Sequence, residues 1–220
     1  MDNVFLGKPT VEFCEKAGSG FVKRPWYLIS NLAFFVSGIL ILRKGKYDYL
    51  SQLFGGVVIF IGLFSSVYDI TFTRWSQLID LSGMILFISL LIYLTLLSIT
   101  RLTKAWALFI LLAVYVLSFA SMLYFGSISG NIIFGLYVMF LICTEIVAYR
   151  IKAHTQYKPF LQSLLLFAIA FAYWLTDISQ TICFRFGLLN GRSVLHFLSA
   201  ISMYLLYTFY ASQKAVLRIK

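Results

Sequence analysis

The sequence predicts an all-α integral membrane protein, a bundle of seven transmembrane helices. Two observations predict it. Of 220 residues, 61% are hydrophobic and only 12% are charged, whereas a soluble domain lies nearer half apolar and a quarter charged. The apolar residues also gather into seven runs of the ~17–25 residues needed to cross a bilayer. These runs fall at roughly 26–42, 50–69, 76–99, 105–125, 130–149, 159–183 and 192–212. The gaps are short and polar, with RKGKYD at 43–48, TRLTK at 100–104 and RIKAHTQYKP at 150–159. No Pro/Ser-rich linker or change of composition divides the chain, so a single domain over 1–220 is expected.

The formal net charge of +10 does not point to nucleic acid. The Lys and Arg residues form no patch; they sit in the gaps, as cytoplasmic anchors do. Loops 1, 3 and 5 and the C-terminus carry Arg43, Lys44, Lys46, Arg101, Lys104, Arg150, Lys152, Lys158, Lys214, Arg218 and Lys220. The opposite side carries Lys8, Lys16, Lys23, Arg24, Arg74 and Arg185. The richer side is expected in the cytosol, with the N-terminus outside or lumenal. The first 25 residues lack the apolar segment of a cleavable signal peptide. Cys14, Cys143 and Cys183 form no CxxC or Cys/His cluster, which excludes a zinc finger.

Ionisable groups at membrane depth are costly and mark candidate sites. They are Asp69, Asp80, Glu145, Asp177, Arg192 and His196. All but Glu145 fall at one end of the predicted bundle, the outer one. Ser65 and Asp69 are four apart and share a helix face, as do Arg192 and His196. Inward-facing, and joined by Asp80 of the third run, they would bring a hydroxyl, two carboxylates, a guanidinium and an imidazole together. A salt-bridged cap in the headgroup region accounts for the same spacing. Glu145, near the inner end, reads as structural and able to snorkel towards Arg150, and His154 as solvated in a basic loop. Ser30 and Asn31 suit either bonds across helices near the site or a helix-packing pair. Trp26, Trp75, Trp106 and Trp174 sit near the expected interfaces, as aromatic belts do.

Four segments, in order, carry a resemblance. They are EFCEKAGSGFVKRPWYLISNLAFF from Glu12, SSVYDITFTRWSQLIDLSGM at 65–84, WLTDISQTIC at 174–183 and RSVLHFLSAISMYL at 192–205. The chain resembles the alkaline ceramidases and the wider superfamily of seven-helix putative membrane hydrolases, which includes the progestin and adipoQ receptors. The resemblance implies a zinc ion held by Ser, Asp and three His, whose bound water attacks the amide of ceramide. It implies a calcium site on the acidic N-terminal motif, with Glu12 and Glu15 as ligands, and points to a Cys14–Cys183 disulfide on the oxidising side. Ser65, Asp80 and His196 match family positions. Asp69 stands where one His belongs and Arg192 where another does. Ala17 replaces an expected Asn, and Arg24 falls near an expected acid.

Asp69, Asp80 and His196, with Ser65, would supply a harder metal site than a three-His set. Arg192, always charged, would repel a dication and pair with Asp69 or Asp80. Two functions are therefore expected. The first is a ceramidase-like amide hydrolase using metal-activated water, with Asp80 and Ser65 at the reaction, Arg192 as oxyanion or headgroup donor, and Trp174 and Asp177 lining the pocket. The second is a non-catalytic relative that binds lipid or a partner, with an Arg–Asp bridge in place of the metal. A transporter lacks its usual cue, broken helices in matching halves.

Overall fold

A computed structural model describes residues 7–100, 103–125 and 127–213. Among them the regular structure is helical, and seven helices are long and apolar enough to cross a membrane. They are α1 (Pro25–Lys44), α2 (Tyr49–Thr71), α3 (Arg74–Ile99), α4 (Lys104–Phe125), α5 (Ser127–Arg150), α6 (Lys158–Ile178) and α7 (Gly191–Ser212). The protein is a multi-pass membrane protein. Arg101, Lys214, Arg218 and Lys220, used above for orientation, lie outside the described residues.

Local chemistry sets the helix ends. Pro25 and Pro159 stand in the first turns of α1 and α6, where a missing N–H costs nothing. Asp48 caps α2 by accepting from the Ser51 N–H at 2.8 Å. Thr73 and Ser76 form a reciprocal capping box at α3. Phe72, with φ of 49°, ends α2 in the left-handed region, so α2 and α3 join tightly. The sixth apolar run extends to 183 in sequence, but α6 stops at Ile178. Gln180 adopts a φ of 53°, which turns the chain before Cys183. A 3₁₀ turn at Gly187–Leu189 then leads into α7.

Packing places the site. α6 and α7 run against each other, α1 packs on α2 and α7, and α3 packs on α2, α4 and α5. Small residues permit the closest approaches. A Cβ on Gly191 would overlap the Tyr173 carbonyl, so only glycine lets α7 start against α6. Hydrogen bonds from Ser37 to the Ala200 carbonyl and between Ser163 and Ser202, both 2.7 Å, tie α7 to α1 and α6. The buried core centres on Phe54, Phe87, Phe160, Tyr207, Phe209 and Tyr210. The faces of α4 and α5 carry exposed Phe109, Leu117, Leu136 and Met139, which suits contact with lipid tails.

Candidate functional site

Asp69 ends α2, Asp80 lies early on α3, and Arg192 is the second residue of α7. The fold brings all three together out of water: Asp69 is 0%, Asp80 7% and Arg192 5% exposed. Arg192 Nη2 donates to Asp80 Oδ2 at 3.0 Å, and its Nε lies 3.4 Å from Asp69 Oδ1. Ser65 donates to the other Asp80 oxygen. Asn31 Nδ2 donates to Asp69 Oδ2 at 2.8 Å.

A second guanidinium joins them. Arg24, fully buried, places Nη2 2.7 Å from Asp69 Oδ1. Its guanidinium carbon lies 4.1 Å from the ring centre of Phe72, 4.5 Å from Tyr68 and 4.9 Å from Phe13. Burial pulls Arg24 below the usual guanidinium range, and Asp69 opposes it. Ring quadrupoles and one carboxylate thus replace the lost water. The sequence reading placed Arg24 only near an expected acid. Neither spacing nor composition marks this role, because Arg24 lies in the polar N-terminal gap before Pro25.

The remaining residues hold this end in shape. Ser30 gives its proton to the Tyr27 carbonyl at 2.7 Å, so His196 Nδ1–H donates to Ser30 Oγ at 2.7 Å. This leaves Nε2 as the open polar atom of the imidazole. Ser30 and Asn31 therefore bond across helices beside the site. Asp177 does not line the cavity; it accepts from the Cys14 N–H, the Tyr27 hydroxyl and the Arg192 N–H, all at 2.6–2.9 Å. Trp174 also stays outside the cavity, packed near Phe13, Tyr27 and Tyr68. Both are corrections to the sequence reading. Asp177 is drawn off by three donors converging on its carboxylate, and Trp174 by the aromatic cluster. A Cys14–Cys183 disulfide, with Cα atoms 5.4 Å apart, fastens the N-terminal segment over this end.

The polar end opens into a long apolar cavity of about 100 Å³, several times the ~10–15 Å³ that one water needs. Ser65, Asp80, Arg192, His196 and Ser199 line one end. The Ser199 hydroxyl has no hydrogen-bond partner. Below them Phe87, Phe134, Phe160, Phe167, Leu206 and their neighbours form the walls. The residues expected at this pocket from sequence, Ser65, Asp69, Asp80, Trp174, Asp177, Arg192 and His196, belong to the second, third, sixth and seventh apolar runs. The structure adds α1 through Phe34 and α5 through Phe134, Val138, Leu141 and Ile142. The α5 residues reach the cavity because α5 packs on α3 and α4 rather than along α6. On α7 the lining runs from Arg192 to Leu206, fourteen residues or about 21 Å. One leaflet of a bilayer core is ~15 Å deep, half of ~30 Å. The lining therefore reaches somewhat deeper than one leaflet.

These residues do not suit the metals that the resemblance implies. Among the described residues, no group of three His, Cys, Asp or Glu is placed to hold an ion. Asp69 and Asp80, the expected zinc ligands, are matched in charge by Arg24 and Arg192. A dication there would sit beside two fixed cations, with its carboxylate donors already engaged. The expected calcium ligands also part company. Glu12 is exposed and pairs with Lys16 at 3.3 Å. Glu15 accepts from the Trp26 and Tyr27 N–H groups at 2.9 and 3.0 Å, capping α1. Burial raises the Glu15 carboxyl above the usual carboxylate range, and those two N–H groups oppose the shift.

A family described as Ceramidase matches residues 7–220. No curated protein matches the chain significantly. The match supports a ceramidase-like function in general, without specifying a metal or a substrate.

Proposed function

Since the chain belongs to the ceramidase family, we propose that it binds a ceramide-like lipid and that an arginine–aspartate network takes the place of the family's zinc. The acyl chain lies in the cavity between α3, α5, α6 and α7. The amide and hydroxyls meet Ser65, Arg192, His196 and Ser199, which line the polar end. Asp69 and Asp80 balance Arg24 and Arg192, so that end favours a neutral, hydrogen-bonding headgroup over an anionic one. The N-terminus and the polar end face the outside or lumen, following the Lys/Arg distribution.

One observation carries this reading: Arg192 spans the two carboxylates that would otherwise hold a metal. It leaves no position from which a metal-bound water would be delivered, and the reading assigns no nucleophile. The chain is then a lipid-binding relative rather than an amide hydrolase.

The test uses the full chain purified in detergent, with ceramide carrying a labelled acyl group. Native mass spectrometry reads binding, elemental mass spectrometry reads metal, and release of labelled fatty acid reads hydrolysis. The expected result is bound ceramide, no stoichiometric zinc and no release. Fatty-acid release that stops on chelation would restore the metal hydrolase. Absence of any ceramide binding would sink the lipid reading.

A further inference from the structure

Opposite Arg192, the cavity lining stops one helical turn short of a group of buried polar side chains. Its last lining residues on α3, α5 and α7 are Leu91, Ile142 and Leu206, and on α6 the first is Phe160. One helical turn beyond them stand Thr95, Glu145, Tyr210 and Tyr157. Thr95 and Tyr210 are 0% exposed and Glu145 2%. Glu145 Oε1 accepts from Thr95 Oγ1 at 2.6 Å and from the Tyr210 hydroxyl at 2.7 Å. Its Oε2 accepts from the Tyr157 hydroxyl at 3.1 Å and lies 3.0 Å from His154 Nδ1.

His154 closes this end from below. It belongs to the α5–α6 loop, yet it is 1% exposed. Its Nε2 lies 2.9 Å from Ser98 Oγ, and its ring stands edge-on to Phe209 and Tyr210. Lys152 and Gln156, both with φ of 55°, bend the loop inward on either side. Gln213 holds it there by exchanging two hydrogen bonds with the Thr155 backbone, at 3.1 and 2.6 Å. The sequence reading had His154 solvated and Glu145 turned to Arg150. The structure corrects both, because each satisfies the other's buried polar atoms.

We propose that the Glu145–Thr95–Tyr210–His154 network is the floor of the acyl site and sets the longest chain it accepts. This rests on the lipid-binding function proposed above. A methyl end that reaches Leu91 and Leu206 meets a carboxylate whose partners are all in place. Going further means separating those partners, and a hydrocarbon replaces none of their hydrogen bonds. Preference for longer chains therefore stops abruptly instead of levelling off.

Binding of a ladder of ceramides with increasing acyl length, read by native mass spectrometry on the full chain, tests this. Wild type should bind more tightly with each added methylene up to a limit. It should then lose about tenfold, the factor for one or two forfeited buried hydrogen bonds. Tyr210→Ala should move that limit up by roughly four carbon–carbon bonds, one helical turn of ~5.4 Å. His154→Ala, which leaves every helix–helix contact in place, should move it in the same direction and decides the matter if Tyr210→Ala does not fold. Leu206→Trp, a wall residue above the floor, should move it down. If Leu206→Trp shortens the limit and neither floor variant lengthens it, the floor is overturned and the lipid site stands. If wild type binds every length alike, the floor is overturned as well. Absence of binding at all lengths overturns the lipid reading itself, and this inference with it.

Discussion

Arg192 and Asp80 join the start of α7 to α3 through a buried ion pair of 3.0 Å. Removing one partner strands the other charge away from water. Arg192→Met should therefore lower stability by about 3–5 kcal/mol. Arg192→Met combined with Asp80→Leu should recover much of that loss, because no lone charge is left at that pair. Thermal midpoints of wild type, both single variants and the double variant in one detergent give the coupling. Purely additive losses would mean that the two groups act independently.

Zinc affinity should depend on three positions together. Asp69→His with Arg192→His restores the residue types that the family resemblance implies at those positions. That double variant still leaves Arg24, whose guanidinium would lose its carboxylate partner Asp69. A cation beside the new ligands opposes the metal. The double variant is expected to stay without zinc, and adding Arg24→Glu is expected to bring about one zinc per chain. Elemental analysis after dialysis checks this. Zinc in wild type, lost on Asp80→Ala, would contradict it.

The seven helices were legible because lipid demands long apolar runs; the capping chemistry of Pro25, Asp48, Thr73 and Pro159, which sets four of their starts, played no part in that reading. The overshoot of α6 to 183 came from reading hydropathy through SQTIC, where a left-handed Gln180 breaks the helix. The cluster of Asp69, Asp80 and Arg192 was legible through its cost: charges at membrane depth need partners. Arg24 and His154 were not, because each sits in a polar gap where solvent is the ordinary partner. What buries them is tertiary. Arg24 is enclosed by four aromatic rings from the N-terminal segment, α1 and the end of α2. His154 is drawn in by a carboxylate nine residues earlier. Period and composition carry neither relationship.

Arg24→Lys should behave as a disruptive change despite keeping the charge. The guanidinium is planar and lies among Phe13, Tyr68 and Phe72 while reaching Asp69. An ammonium is a strongly hydrated point charge and stacks poorly. A loss of about 1–3 kcal/mol is expected, of the order of a desolvated cation–π contact plus part of a buried ion pair. Limited proteolysis of the N-terminal segment reads it locally. Because the Cys14–Cys183 disulfide holds the segment in both proteins, faster cleavage in the variant reports on Arg24 alone. Equal cleavage would make the aromatic enclosure incidental.

Glu15 should make the N-terminal segment more secure on mild acidification, against the usual trend. Burial holds its carboxyl above the ordinary 4.5, so the folded segment binds that proton more tightly than the released one does. Where the folded form holds more protons, stability falls as pH rises. The contribution is most favourable at and below about pH 4.5 and is lost as pH climbs through the raised folded value. The amides of Trp26 and Tyr27, which donate to Glu15, report it directly. Their hydrogen-exchange protection, corrected for the intrinsic rate, should decline in wild type from pH 4.5 towards neutrality. In Glu15→Gln the side chain no longer titrates, so the profile over that range should be flatter. Every other carboxylate is present in both proteins and cancels in the comparison. Parallel profiles would overturn the assignment to Glu15 and leave it as a simple helix cap.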